Sequence, residues 1–200
     1  THQRTGMMMH YAVPRSIQEA TFDDTGDGLY TVASNPFTFP DIVARLARHE
    51  SSRIRIVVAE RCDLDPVLRD DLRRDPDAEV RMYAEAYGAV TTREQHVAIT
   101  MANDKYDLDR PKKIDEFVDL GDADWYARAA LSDNLLLRRA AALDARLPEP
   151  AVRTLAADPD ERVRTLLSQN HLATPAATMI AEFVARPKYR ALLLTLPHMP

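Results

Sequence analysis

Arginine is the residue type whose spacing most clearly suggests chemistry in this sequence. It recurs at corresponding positions, in Arg55, Arg81, Arg128, Arg138 and Arg164. A row of guanidinium groups could bind anions, because each offers several N–H donors in one plane. It could equally form a ladder, in which each arginine bonds aspartate or carbonyl groups of a neighbouring turn and fixes the packing of successive units. We favour the ladder, because these arginines occur together with aspartates that suit helix capping.

A second set of arginines lies on segments that we expect to be exposed. Its members are Arg45, Arg48, Arg69, Arg73 and Arg74. On successive stacked helices they would form a basic strip that suits an acidic protein segment or a phosphate backbone. The alternative is a solvated face whose charge is offset by Asp70, Asp71 and Asp75, and we favour that alternative. The strip remains our candidate partner-binding surface.

Trp125 and Tyr126 are the other candidates for contact with a partner. Aromatic residues of this kind usually belong to a core. They could instead anchor a partner, because they lie where an irregular middle segment meets a second regular block. We therefore add both residues to the candidate partner-binding set.

The remaining reactive groups form no catalytic or metal-binding pattern. The six histidines are scattered, and none is spaced with a second ligand as in a metal site. Cys62 is the single cysteine, and we expect a buried structural thiol. The acidic segment that begins at Asp23 resembles a calcium loop but has Ser34 at the twelfth position, so we interpret it as a turn. We expect no enzyme activity, no metal and no cofactor.

Composition indicates an ordinary globular chain of one or two domains. The 200 residues are 46% hydrophobic and 28% charged, with a formal net charge of −5. The acidic balance disfavours broad binding to nucleic acid or to anionic membranes. Without an apolar run of membrane-spanning length or a secretory leader, the sequence predicts a cytoplasmic protein with no membrane association.

The chain repeats itself. Ile54-Arg55 and Val80-Arg81 lie 26 residues apart, as do Leu137-Arg138 and Val163-Arg164. The segment Asp122–Asn134 also aligns without gaps on Asp158–Asn170. A fixed period of this length is typical of helical repeat proteins.

Each repeat is predicted to contain two short helices. The first opens at an Asp-Pro-Asp segment such as Asp75–Asp77, with the proline in the first turn, and ends near an asparagine such as Asn35, which tolerates left-handed dihedral angles. The second opens at a Thr/Pro or Asp/Pro step such as Asp65-Pro66. Residues 53–59 form a β-like patch, but their place in the repeat predicts a helix. The chain should therefore be all-α.

Breaks in the period divide the chain into five parts. We predict an N-terminal arm or cap over residues 1–26 and a first repeat block over residues 27–104. An irregular connector follows over residues 105–121, then a second repeat block over 122–187 and a C-terminal cap over 188–200.

The repeat units resemble those of the leucine-rich repeat variant family. The resemblance rests on the segments Ala33–Arg48, Leu155–Arg164 and Asn170–Pro175, and it covers roughly residues 27–104 and 122–185. It implies a right-handed α-solenoid of short helical hairpins, close in kind to HEAT-like repeats. It implies little about activity. One class of relatives carries a cysteine-rich iron–sulfur segment, and the lone cysteine of this chain does not match it.

Our leading functional prediction is a non-enzymatic α-solenoid that binds a protein of acidic or mixed charge. One alternative is a HEAT-like protein that binds nucleic acid or repairs DNA, which rests on analogy of fold alone. Another is an immunity or accessory protein that docks on an enzyme. The excess of arginine over lysine suggests a GC-rich bacterial genome. The oligomeric state cannot be predicted from these patterns.

Overall fold

The computed structural model describes residues 12–23, 28–104, 120–196 and 199–200. These residues form thirteen α-helices and contain no β-strand, so the all-α prediction is confirmed for them. No helix among them is long and apolar enough to cross a membrane. Residues 1–11, 24–27, 105–119 and 197–198 lie outside the described residues, so most of the predicted N-terminal arm and connector and two residues of the predicted C-terminal cap lie outside them too.

The chain divides into two compact units, Thr1–Ala89 and Val90–Pro200. The helices of the first unit are α1 (Arg15–Ala20), α2 (Gly28–Ser34), α3 (Pro40–Leu46), α4 (Ser52–Ala59), α5 (Pro66–Leu72) and α6 (Ala78–Gly88). The helix α4 covers the β-like patch, and the helical prediction for that patch is confirmed. A short 3₁₀ helix, Thr21–Asp23, follows α1.

The helices of the second unit are α7 (Arg93–Asn103), α8 (Ala123–Ala129), α9 (Leu135–Ala141), α10 (Glu149–Ala156), α11 (Glu161–Asn170), α12 (Ala176–Ala185) and α13 (Arg190–Leu194). A 3₁₀ turn, Pro187–Tyr189, precedes α13. In both units we call α2, α4, α6, α9 and α11 the first helices, and α3, α5, α7, α8, α10 and α12 the second helices.

In the first unit, the first helices pack on one another in chain order. The helix α4 lies between α2 and α6, while α3 packs on α4 and α5 packs on both α4 and α6. Ile54 and Val80 are 3% and 0% exposed, and Leu46 and Leu72 of the second helices are also buried. The helix α4 therefore buries side chains against a neighbouring first helix on each side.

In the second unit, α9 packs against α7, α8 and α11, and α11 packs in turn against α10 and α12. Val163, Leu155 and Leu167 are each 0% exposed. The helix α13 lies on α12, where Leu193 and Leu196 cover Met179.

Proline and aspartate determine where the second helices begin. Pro40 and Pro66 lie in the first turns of α3 and α5, where the N–H that proline lacks would have no partner in the helix. Asp65 precedes Pro66, and its carboxylate accepts a hydrogen bond from the N–H of Val67 at 2.8 Å.

The first helices differ from the prediction at both ends. Asp77 is the N-cap of α6, so Pro76 precedes the cap and does not lie in the first turn. The predicted left-handed asparagine is wrong, because no described residue other than glycine has a positive φ. Asn35 closes its turn differently: its Oδ1 accepts a hydrogen bond from the N–H of Phe37 at 2.8 Å.

The alignment of Asp122–Asn134 on Asp158–Asn170 has the wrong register. The helix α8 ends at Ala129, and Asn134 is the N-cap of the next helix, α9. The segment thus contains a second helix and the turn after it, whereas Asp158–Asn170 contains a turn and the first helix α11. Asparagine is common both at N-caps and at helix ends, so the shared asparagine did not fix the register.

Candidate functional site

Four of the five predicted ladder arginines occupy the same place in a first helix. Each Nη1 donates to the carbonyls of the residues six and five positions earlier, in the turn that follows a second helix. The bonds run from Arg55 to His49 (2.7 Å) and Glu50 (2.9 Å), from Arg81 to Asp75 (2.6 Å) and Pro76 (3.0 Å), from Arg138 to Ser132 (3.0 Å) and Asp133 (2.8 Å), and from Arg164 to Asp158 (2.8 Å) and Pro159 (3.2 Å). We call these four residues the clamp arginines.

The first residue of each of these turns also stabilises the turn. The side chain of this first residue accepts a hydrogen bond from the N–H of the residue two positions later, which is the N-cap of the following helix. The acceptors are His49 Nδ1 (3.1 Å), Asp75 Oδ1 (2.9 Å), Ser132 Oγ (3.1 Å) and Asp158 Oδ1 (2.8 Å). The turn residue and the clamp arginine together fix the path from a second helix into the next first helix.

Three clamp arginines also bind a carboxylate farther along the chain. Arg55 binds Asp75 with Nε–Oδ2 and Nη2–Oδ1 distances of 2.7 and 2.9 Å. Arg138 binds Asp158 with an Nε–Oδ2 distance of 2.6 Å, and each of these two pairs spans 20 residues. Each aspartate therefore joins two clamps, because its carbonyl accepts from the next clamp arginine. This arrangement is the ladder that the arginine spacing predicts.

Burial and pairing act in opposite directions on the Asp75 carboxyl. Burial opposes its ionisation, but hydrogen bonds from Arg55 and from the N–H of Asp77 outweigh that effect and lower its pKa below the usual value. The same pairing raises the pKa of the Arg55 guanidinium. The pair is therefore ionised at neutral pH.

The third carboxylate comes from a helix and not from a turn. Arg164 Nε lies 3.2 Å from Oε1 of Glu182 in α12, and the hydroxyl of Thr165 donates to Oε2 at 2.6 Å. Arg186 approaches the same carboxylate at 3.5 Å. Glu182 is only 1% exposed, so these groups offset the cost of burying its charge.

Arg128 does not belong to the ladder. Its guanidinium lies 3.8 Å from Asp122, and its side chain is 69% exposed. The prediction failed because it followed the alignment of Asp122–Asn134, which places a second helix on a first helix.

Sequence reasoning missed further polar side chains that tie one repeat to another. Arg61 Nη1 donates to the carbonyls of Ala33 and Asn35, both at 2.8 Å. Nε2 of His171 lies 3.0 Å from the carbonyl of Leu147. Arg61 and His171 are 7% and 6% exposed and begin corresponding turns. The sequence could have indicated them, because Arg61 and His171 occupy the same position of the repeat as Asn35.

Arg69 does not belong to the exposed basic strip that the sequence predicts, because it is only 8% exposed. Its guanidinium donates to the carbonyl of Ala59 at 3.0 Å and to that of Arg61, where α4 ends. Burial, together with the nearby charge of Arg73, lowers the pKa of the Arg69 guanidinium. The helix-face pattern could not show that this position points at carbonyls left open by a neighbouring helix.

The other four arginines of the strip remain at the surface, and aspartates or an aromatic ring accompany them. Arg48 lies 3.3 Å from Asp71, and Arg73 lies 2.7 Å from Asp70. Arg74 Nη1 donates to the carbonyl of Asp70 at 3.4 Å, and the Arg45 guanidinium lies 3.9 Å from the centroid of the Phe22 ring. The strip therefore carries mixed charge and not a continuous positive field.

A glycine opposite the strip makes room for two of these arginines. A Cβ built on Gly88 of α6 would overlap the guanidinium of Arg73 and would lie 2.9 Å from Cδ of Arg69. Because glycine has no side chain, Arg69 and Arg73 can both pack against the end of α6.

Trp125 and Tyr126 belong to the core of the second unit. They are 6% and 0% exposed, and their rings meet edge to face with centroids 4.8 Å apart. The prediction that they anchor a partner is corrected, because neither ring has the exposed surface that such a contact needs.

Cys62 is exposed, which corrects the prediction of a buried thiol. The turn from Arg61 to Leu64 buries its first and fourth residues, each 7% exposed, and leaves Cys62 between them at the surface. The described residues contain no group of three His, Cys, Asp or Glu side chains that could hold a metal ion.

Comparison of the chain with protein-family models, with curated proteins and with solved structures found no match in any of the three.

Proposed function

We propose that this chain is a non-enzymatic α-solenoid repeat protein of the leucine-rich repeat variant or HEAT-like kind, and that it binds another protein. The observation that carries the proposal is the repetition of one clamp geometry in four first helices. The polar side chains at these positions bind the turn between one repeat and the next. A repeat scaffold needs such contacts, because each repeat is stabilised by its neighbours. Such a scaffold commonly presents the outer residues of its helices to a partner.

The strip of Arg45, Arg48, Arg73 and Arg74 is the surface that we assign to the partner. Aspartates lie among these arginines, and mixed charge favours selective contact with a protein over adhesion to a uniform phosphate backbone. Phe37 and Val67, 54% and 69% exposed, add apolar area in the same unit.

The experiment is a binding measurement with charge-reversed variants. A partner captured from native lysate is purified, and its affinity is measured by calorimetry for the wild type and for the double variant Arg45→Glu/Arg74→Glu. The control is Arg153→Glu, since Arg153 is an exposed arginine of the second unit.

We expect the double variant to bind at least about tenfold more weakly, which corresponds to about 1.4 kcal/mol, and the control to bind as the wild type does. Equal affinities for all three proteins would contradict the assignment of this surface. Turnover of a small molecule by the purified chain would contradict the non-enzymatic proposal.

A further inference from the structure

The outer face of α12 carries no charge. Ala177, Ile180, Ala181 and Val184 are spaced by three and one residues in turn, so they form one stripe along the helix. All of them are exposed, and the exposed fractions of Ile180 and Val184 are 51% and 64%. We call these residues the α12 face. Glu182 is the charged residue of α12, and it is only 1% exposed.

The other second helices differ from α12 in this respect. Each of α3, α5, α7, α8 and α10 exposes charged side chains, as is usual for a helix with one face in water. These side chains include Asp41, Asp70, Glu94, Asp124 and Glu149. A helix that is apolar on every side is typical of a position that is covered on every side. The composition of α12 therefore suits a covered helix, although its outer face is open to solvent in the single chain.

A further repeat packed after α12 would not cover this face. The fifth residue after the N-cap is Asp70 in α5, Arg153 in α10 and Ile180 in α12. The side chains of Asp70 and Arg153 are 51% and 73% exposed, although further helices of the same unit follow both. This position therefore points outward within a stack of repeats as well as at its end. Another molecule has to supply the cover.

The charges around the α12 face favour a second copy of this chain over a charged partner segment. Two uncharged faces meet without the cost of burying an ion. Exposed cations follow the C-terminal end of the helix, where Arg190 donates to the carbonyl of Val184 at 3.3 Å and Lys188 lies nearby in sequence. The turn before α12 exposes the uncharged Leu172 instead. Antiparallel pairing of two α12 helices keeps the cations of the two copies at opposite ends of the contact.

The residue sizes on the α12 face are also complementary to themselves. A two-fold axis between Ile180 and Ala181 pairs Val184 of one copy with Ala177 of the other, and Ile180 of one copy with Ala181 of the other. Each contact sets a branched side chain against a methyl group, which lets the two helices interdigitate. Two-fold dimers are also the commonest assemblies of identical chains.

From these observations we infer that the α12 face is the interface of an antiparallel two-fold dimer of this chain. The inference goes beyond the proposed protein-binding function and does not depend on it, because it concerns the second unit and not the strip of the first.

The first test is the oligomeric state of the full chain. Sedimentation equilibrium is recorded for the wild type, Val184→Glu and Val67→Glu from about 1 μM to about 1 mM. Val67 is the matched control, because it is a valine of another second helix and is 69% exposed. We expect the wild type and the control to dimerise alike, and Val184→Glu to have a dissociation constant at least about tenfold higher.

A wild type that stays monomeric over this range would overturn the inference. So would a dimer that Val184→Glu leaves as stable as before, since its interface would then lie elsewhere. A monomeric wild type that binds a different protein through Val184 would overturn it as well, because that protein would then be the occupant of the face.

The second test pairs two oppositely charged variants. Ile180 lies beside the proposed axis, so Ile180→Glu and Ile180→Lys should each dimerise poorly alone because like charges meet. Mixed in equal amounts, they should form a heterodimer at least about tenfold tighter than either homodimer. Circular dichroism shows whether each variant is folded. Two folded variants that fail to associate in the mixture would contradict the antiparallel pairing.

Discussion

Arg55 binds Asp75 through both edge donors of its guanidinium, with Nε–Oδ2 and Nη2–Oδ1 distances of 2.7 and 2.9 Å. The side chains are 11% and 7% exposed, so solvent screens this pair far less than a surface pair. Because the carbonyl of Asp75 also accepts from Arg81, one residue links two successive clamps. Asp75 is therefore the residue at which acid should weaken the first unit.

Acid should destabilise the chain through Asp75 and Asp160. The pKa of each carboxyl lies below its usual value of 3.8: burial opposes ionisation, and hydrogen bonds from Arg55 and Arg139 respectively outweigh it. The unfolded state then binds protons at a higher pH than the folded state. The stabilisation is complete above about pH 4 and is lost as the pH falls through the folded-state pKa values.

Urea unfolding between pH 7 and pH 2.5 measures this dependence. The variant Asp75→Asn should be less stable at pH 7 and should lose less stability on acidification than the wild type does. Parallel stability curves for the two proteins would show that Asp75 is not a source of the acid sensitivity.

Leu155→Ala should destabilise the second unit by about 2–5 kcal/mol, because it removes a fully buried side chain and leaves a cavity. Leu172→Ala is the matched control: Leu172 is 64% exposed, so its truncation should change stability by no more than about 0.5 kcal/mol. Thermal and urea unfolding of both variants provide the comparison. Equal losses would mean that the helical register of α10 is wrong.

Gly88→Ala should destabilise the first unit, although alanine normally favours a helix over glycine by about 1 kcal/mol. The new Cβ meets the buried Arg69 stem as well as the mobile end of Arg73. The double variant Gly88→Ala/Arg73→Ala should recover only part of the loss, because the contact with Arg69 remains. A stabilised Gly88→Ala protein, measured by urea unfolding, would contradict this packing.

The sequence predicted the clamp arginines because their chemistry is local: an arginine at a fixed distance from a turn can reach carbonyls six and five residues earlier. It also predicted helices for residues 53–59, since the repeat outweighed the local β-like composition. The errors at Arg69 and Cys62 have another cause. Whether those side chains are buried depends on which neighbouring carbonyls or side chains they meet across the packed helices, and spacing alone does not carry that information.

The assignment of Arg128 shows a second kind of limit. Caps and helix ends use the same few residue types, so a gapless alignment can place a second helix on a first helix. Tertiary packing resolves the ambiguity, because Arg138 reaches a turn and a carboxylate whereas Arg128 is left 69% exposed.

The central claim is that the clamp arginines join successive repeats. A double-mutant cycle on Arg138 and Asp158 tests that claim most directly. The free energy of unfolding is measured for Arg138→Gln, Asp158→Asn and the double variant, with Arg128→Gln as the control arginine. We predict a coupling energy above about 1 kcal/mol between Arg138 and Asp158 and a change within about 0.5 kcal/mol for the control. A coupling energy near zero, or an Arg128 variant as damaging as the Arg138 variant, would contradict the account.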